Sequence, residues 1–422
     1  MTSETFRRLS LSRPGAQARR ALADRLEAPT ATYHLLVAVT SVLVAFGLVM
    51  VLSASAIESL TLTKSGSPFS IFGRQLRFAV IGLIALLVAS RLPVQAWRRL
   101  AVPIWVSSVV LQLLVFIPGL GVRVNGNQNW IRVGPVTLQP SELIKVGLLL
   151  VGALVMEAKR DRLGTVGHVV VPYLVPVVAA SAGLVMVGGD MGTTVVIAAI
   201  VGAVLFVAGV PLRWFGFVGG TGLALAAAFI VAAPHRLQRF NVWLGRDTDP
   251  FGAARQPLHG RYALADGGWI GLGLGSSREK WQLLSEPHND FIFAIIGEEL
   301  GLPGTIAVLV LFVVLAYACV RLVMRTNSFF VAVASAGAMA WILGQAMVNI
   351  GSVIGVIPVV GVPLPLVSSG GSSLITVMMA IGMLISFARA EPGCAEALRG
   401  RGSLLRRTAA VLPALSARRR RR

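Results

Sequence analysis

Apolar runs of about twenty residues recur along this chain from position 35 to position 388, and that repetition limits what it can fold into more than any other feature. A helix needs roughly 20 mainly apolar residues to cross the ~30 Å hydrocarbon core of a bilayer. Such runs fall at 35–56, 69–90, 101–120, 141–157, 168–188, 191–210, 213–233, 291–319, 328–350 and 367–388. Inside lipid every backbone N–H and C=O has to be satisfied within the segment, so each run is expected to be a helix. A composition of 55% apolar and 13% charged residues over 422 positions points the same way. The expected fold is an all-α integral membrane protein, a polytopic bundle of about ten transmembrane helices.

The charges orient that bundle. Alternate connections carry Arg91, Arg98 and Arg99, then Lys159, Arg160 and Arg162, then Arg213, then Arg321 and Arg325. The basic tails 1–34 and 389–422 fall on the same side, so the positive-inside rule places both termini in the cytoplasm. The opposite side receives 57–68, 121–140, 188–190, 234–290 and 351–366, of which 234–290 is one large extracellular loop. The domain reading is a cytoplasmic tail over 1–34, a membrane domain over 35–388 and an arginine-rich tail over 389–422. The first 34 residues lack an apolar core followed by a small-residue cleavage site, which argues against a cleaved signal peptide.

A net charge of +20 raises the question of nucleic acid, but the arginines crowd tails and short loops and no recognition motif accompanies them. The run Arg418 to Arg422 suits anionic headgroups of membrane lipids instead. Cys319 and Cys394 fall on the cytoplasmic side, where no disulfide is expected. The glycines from Gly267 to Gly275 evoke a nucleotide loop, yet no strand precedes them and no Walker lysine follows. They read as a compact membrane-surface turn, with Trp269 and Trp281 as interfacial anchors.

Against this apolar background the polar residues stand out, because ionisable groups near spans are costly and tend to mark a cavity or a reaction site. Ser285-Glu286-Pro287-His288-Asn289-Asp290 closes the long loop and is followed by a span containing Glu298 and Glu299. Those two glutamates lie eight and nine residues past Asp290, about 12 to 14 Å along a helix, too far to share its proton. They are expected to face other helices or a cavity. Glu142 and Lys145 share a helix face, either as an ion pair between helices or as substrate contacts. Asp190 opens a span, where helix capping accounts for it without catalysis. Gln345 and Asn349 place two amides on one face, ahead of a proline-stiffened stretch from Pro358 to Ser373 that includes Ser368 and Ser369.

These segments together resemble the SEDS family of bacterial cell-wall polymerases. The resemblance rests on Trp130-Ile131 with Gln139-Pro-Ser-Glu-Leu-Ile-Lys145, on Gly189-Asp-Met-Gly-Thr193, on Lys280-Trp281 through His288-Asn-Asp290 to Gly301, and on Asn349-Ile-Gly351 through Pro363 to Ser373. It spans about 35 to 388 and leans toward the division branch over the elongation branch. Two departures affect the local backbone path: Gly-Gly precedes Asp190 where the family often has a proline, and Ser285-Glu286-Pro287 alters the usual order.

The resemblance implies ten spans and a peptidoglycan glycosyltransferase that polymerises lipid II on the outer face. It implies a plasma-membrane location at the division septum, and a class B penicillin-binding protein, a transpeptidase, among other divisome partners. The family's essential aspartate matches Asp290, which would act as base on the acceptor hydroxyl. Lys145, Arg132, Arg236, Arg239, Arg278 and Lys280 are candidates for the departing diphosphate, with His288, Ser368 and Ser369 as further substrate contacts. A divalent cation, Mg²⁺ or Mn²⁺, is another way to neutralise it, although no closed ligand set is visible. Two other classes stay open on residues alone: a lipid II flippase or transporter, and a non-enzymatic divisome scaffold.

Overall fold

The structure is a computed structural model that describes residues 27–398 apart from 63–66, 125–126, 135, 166, 232–233 and 282. Most of both tails, including the arginine run, lies outside the described residues. The architecture is a multi-pass helical bundle. In chain order its first helices are α1 (Ala31–Leu62), α2 (Ser70–Arg91) and α3 (Val94–Leu114). Three short strands follow, β1 (Gly121–Val124), β2 (Asn127–Val133) and β3 (Val136–Leu138), and then α4 (Pro140–Ala158). A π-helical stretch, Val170–Ala179, leads into α5 (Ala180–Val187), α6 (Met191–Ala208) and α7 (Leu212–Val231). The long loop carries α8 (Pro234–Trp243) and α9 (Arg255–Gly267), after which come α10 (Ile292–Arg325), α11 (Phe329–Val353) and α12 (Ser372–Arg389).

Seven of these helices, α1, α2, α6, α7, α10, α11 and α12, are long and apolar enough to cross a membrane. The other three runs expected to cross, 101–120, 141–157 and 168–188, are also helical but fall short of that measure, for local reasons. Arg98, Arg99 and Pro103 dilute the apolar run of α3. Glu142, Lys145 and Glu157 put three charges into α4. Pro172 and Pro176 remove backbone donors from the fifth run, which winds as a π-helix where the usual i to i−4 bonds are missing.

Two of the connections carry secondary structure of their own. The 121–140 connection is an antiparallel β1-β2-β3 sheet, with Gly121 opposite Ile131 and Ile131 opposite Leu138. Its Asn129 accepts from Gln112 Nε2 and donates to Gly188 O, both at 2.9 Å, so the asparagine-rich sequence pins the turn between α5 and α6. The 234–290 segment is helical in part: it carries α8 and α9, and α9 buries Gly260, Ala263 and Gly267.

The central helix is α12, which packs on α1, α2, α4 and α11. Outward faces such as Val80, Ile81, Ile84, Leu87 and Val88 of α2 stay exposed and apolar, as lipid-facing surfaces are. Helix α10 is interrupted at Gly301, whose φ of 64° belongs to the left-handed region, and Gly271 packs so closely there that a Cβ would meet backbone. Cys319 and Cys394 are both free and buried.

Candidate active site

Three successive carbonyls just ahead of α10 are each held from elsewhere in the chain. Ser369 N donates to His288 O at 2.9 Å, Ser368 Oγ to Asn289 O at 2.7 Å, and Asn349 Nδ2 to Asp290 O at 2.8 Å. The same Asn349 amide donates to Val362 O at 2.7 Å, and Ser368 Oγ accepts from Leu364 N at 2.8 Å. The irregular stretch before α12 thus satisfies the irregular stretch before α10, as backbone outside regular structure requires when it is taken from water.

This clamp presents Asp290 half-buried. Burial pushes its carboxyl up to about 7, and nearby Glu286 adds to the rise. The positive charge of Arg239, then that of His288, acts in the other direction, while Asp190 contributes a small further increase. Arg239 is exposed on α8, and its Nη1 and Asp290 Oδ2 converge on Gly361: a Cβ on that glycine would stand 3.9 Å from the first and 3.4 Å from the second. A carboxyl that titrates near neutrality beside a solvent-facing guanidinium can exchange a proton and hold an anion in one place.

A buried network backs this arrangement. Lys145 is fully buried, with Nζ 2.7 Å from Glu142 Oε1, 3.1 Å from Gln345 Oε1 and 4.8 Å from the centre of the Trp341 ring. Gln345 passes the support on by donating to Pro363 O at 2.9 Å, and Thr376 donates to Glu142 Oε2 at 3.2 Å. Asp190 caps α6: its side chain accepts from Thr193 N at 2.9 Å and Thr193 Oγ1 at 2.7 Å, and also from Gln139 Nε2 at 2.8 Å. Burial raises the Asp190 carboxyl, and the Thr193 bonds offset part of that rise.

Glu298 and Glu299 point to a different task. Glu298 accepts from Ser277 Oγ and Arg278 N, both at 2.6 Å, and Glu299 accepts from Lys280 Nζ at 2.9 Å and from Ser53 Oγ. Both are fully buried, and they fasten 275–280 onto the helix that follows Asp290.

The six cationic candidates therefore separate. Arg239 lies beside Asp290. Lys145 and Lys280 are neutralised inside the protein. Arg236 is committed to Phe229 O and Gly189 O and lies over the Phe229 ring. Arg132 is exposed on β2, and Arg278 is exposed with its backbone held by Glu298. Two neighbours escaped the sequence reading: Glu58, whose Oε2 is 2.8 Å from His288 Nδ1, and Gln75, whose amide donates to Ser368 O at 3.1 Å. Glu58 was assigned to a connection because the apolar run ends at 56, yet α1 continues to Leu62.

Fold and site define a multi-pass membrane protein that holds a titratable carboxylate on irregular backbone at one end of its bundle. The family of cell cycle proteins comprising FtsW, RodA and SpoVE matches residues 33–392. The chain belongs to this SEDS family. It is 39% identical over 389 residues to a probable peptidoglycan glycosyltransferase FtsW of Mycobacterium tuberculosis, covering 92% of this chain and 74% of that protein. It is 37% identical to the stage V sporulation protein E of Bacillus subtilis over 84% of this chain and 96% of that one. Among solved structures it resembles a chain of a peptidoglycan synthase complex that coordinates polymerization and crosslinking, with a TM-score of 0.68 and 27% identity over 85% of this chain and 98% of that one. The rod shape determining protein RodA of Thermus thermophilus shares the fold, with a TM-score of 0.61 at 24% identity over 85% of this chain and 96% of that one.

Proposed function

We propose that this chain is a peptidoglycan glycosyltransferase that polymerises lipid II during division, with Asp290 as the base. The observation that carries the reading is a half-buried carboxyl titrating near 7 with Arg239 at its side, within a family whose relatives bear that activity in their names. In the reaction the 4-hydroxyl of the acceptor N-acetylglucosamine attacks C1 of the donor N-acetylmuramic acid. Asp290 takes the hydroxyl proton as the new C–O bond forms. The bond from C1 to the diphosphate oxygen breaks, and the lipid diphosphate departs with the electron pair. A base titrating close to working pH is ionised often enough to accept a proton and basic enough to hold it. Arg239, with its planar set of donors, is the group placed to meet the developing charge.

Among the described residues no group of three His, Cys, Asp or Glu side chains is positioned to hold an ion. Lys145, Glu142 and Gln345 act as buried supports in this reading, half-buried Asp190 as a helix cap, and Lys280, Glu298 and Glu299 as fasteners.

The wider picture follows from the charge pattern and the relatives. In this reading α3, α4 and the π-helical run cross with the seven apolar helices, ten crossings in all, and the positive-inside rule supports basic tails in the cytoplasm and Asp290 on the outer side. The membrane domain is 35–388 with its outer segment 234–290, the location is the septal plasma membrane, and the partner is a class B penicillin-binding protein. Likeness to a chain of a synthase complex supports that partner.

The test is purified protein, with and without the transpeptidase, supplied with labelled lipid II. Glycan chains that disappear in Asp290→Asn support the proposal. Leaflet exchange without chain growth supports a flippase instead, and neither activity supports a scaffold.

A further inference from the structure

Beside Arg239 lies a cleft that the reaction scheme leaves unused. Helices α8 and α9 and the turn after α11 enclose it, and its walls include Arg239, Trp243, Gln256, Arg261, Ser352 and Val359. No carboxylate lines it, and among the described residues neither guanidinium forms an ion pair. Trp243 keeps 40% of its surface exposed while its indole N–H is fixed on Gly355 O at 3.2 Å. Arg261 is steadied by Nε donating to Pro257 O at 3.4 Å. Arg239 lines this cleft and also converges with Asp290 on Gly361, so the cleft adjoins the carboxylate.

A sugar brought to Asp290 would therefore have its substituents next to this cleft. The walls select the kind of appendage. Two guanidinium groups attract an anion, but Val242, Pro257, Pro358 and Val359 would leave much of a dense diphosphate unsolvated. A carboxylate on a peptide attached to a sugar fits better: its charge meets arginine, and its apolar parts meet tryptophan and proline. We infer that the cleft is a subsite for the carboxylate-bearing peptide stem of the substrate, with Arg261 as its specificity-determining cation. The inference rests on the glycosyltransferase reading above and names a part of the substrate which that reading leaves unplaced.

The test compares lipid II carrying free stem carboxylates with lipid II whose stem carboxylates are amidated, using the full chain with its transpeptidase. Arg261→Ala is expected to raise KM for the free acid about fivefold, the worth of one exposed ion pair, with kcat within about twofold. The amidated substrate should show a change below about twofold, and Arg261→Lys should recover most of the loss. Arg246→Ala, which removes the same charge from an exposed position outside the cleft, should leave both substrates alone. Equal effects of Arg261→Ala on the two substrates, or no effect on either, overturn the subsite. Direct binding of a soluble muramyl pentapeptide, free acid against amide, gives a readout that does not need turnover. If the wild type makes no glycan yet binds the free acid through Arg261, the subsite stands and the polymerase reading falls.

Discussion

The side-chain amide of Asn349 donates to the backbone oxygens of both Asp290 and Val362, at 2.8 and 2.7 Å. It therefore ties the carboxylate-bearing turn before α10 to the proline-rich stretch before α12. Fixing a base relative to its substrate is worth much of a catalytic barrier, and displacement by about 1 Å can cost on the order of 100-fold. Asn349→Asp keeps the shape but aims carboxylate oxygens at two carbonyls. Its kcat is expected to fall by about 10- to 100-fold, with a larger loss than in Asn349→Ser, measured by glycan formation from labelled lipid II.

Asp290→Asn is expected to lower polymerisation by about 100- to 10,000-fold, the usual contribution of a general base, with helicity and thermal midpoint preserved. In the wild type the rate should rise with pH through about 7 as the carboxyl ionises. Since Glu286 raises the Asp290 value and Arg239 lowers it, Glu286→Gln should move the midpoint of the pH–rate curve to lower pH and Arg239→Ala to higher pH. Shifts in the reverse order would sink the assignment of that limb to Asp290.

The same shift has a stability consequence. The folded-state value lies above the ordinary 3.8, so the native protein holds this proton more tightly than the unfolded chain does. The contribution of Asp290 is most favourable below pH 4 and is lost as pH rises toward 7. Asp290→Asn should thus be relatively more stable than wild type at pH 8 than at pH 5, a difference that melting curves in detergent at the two pH values will register.

Lys145 and Glu142 form a buried pair with 0% and 4% side-chain exposure. Breaking such a pair leaves an uncompensated charge and costs about 3 to 5 kcal/mol, whereas removing both charges is far milder. Lys145→Met is expected to lower the melting temperature sharply, and the Lys145→Met, Glu142→Gln double variant to recover most of it. Additive losses in the double variant would contradict a paired role.

Glu298 accepts from the backbone N–H groups of Arg278 and Glu279 at 2.6 and 3.3 Å. Glu298→Ala should release 275–280 from α10, so amide hydrogen exchange in a peptide covering 276–281 should accelerate by about 10-fold or more while exchange within α12 stays unchanged. Unaltered exchange at 276–281 would show that the segment is held by other contacts.

Local properties of the chain were enough to locate much of this architecture. Run length and hydropathy marked the helices because a membrane span must satisfy its own backbone, and ends such as Asp190 before α6 declared themselves by capping chemistry. The motif around Asp290 and the family it belongs to were legible for the same reason: their residues are contiguous. Boundaries slipped where a polar continuation followed an apolar run, as at Glu58, and the β1-β2-β3 sheet went unseen because its strands are too short to carry a clear alternation.

Tertiary structure alone decided which charges are available to chemistry. Lys145 meets Gln345 across 200 positions, and Ser368 meets Asn289 across 79, separations over which no spacing rule operates. By sequence, Lys145, Lys280 and Arg239 were equivalent cations. Packing buried the first two against Glu142 and Glu299 and left Arg239 exposed, beside Asp290 and on the wall of the cleft that Arg261 lines. A charge taken from water needs a partner, and the partner is chosen by the fold.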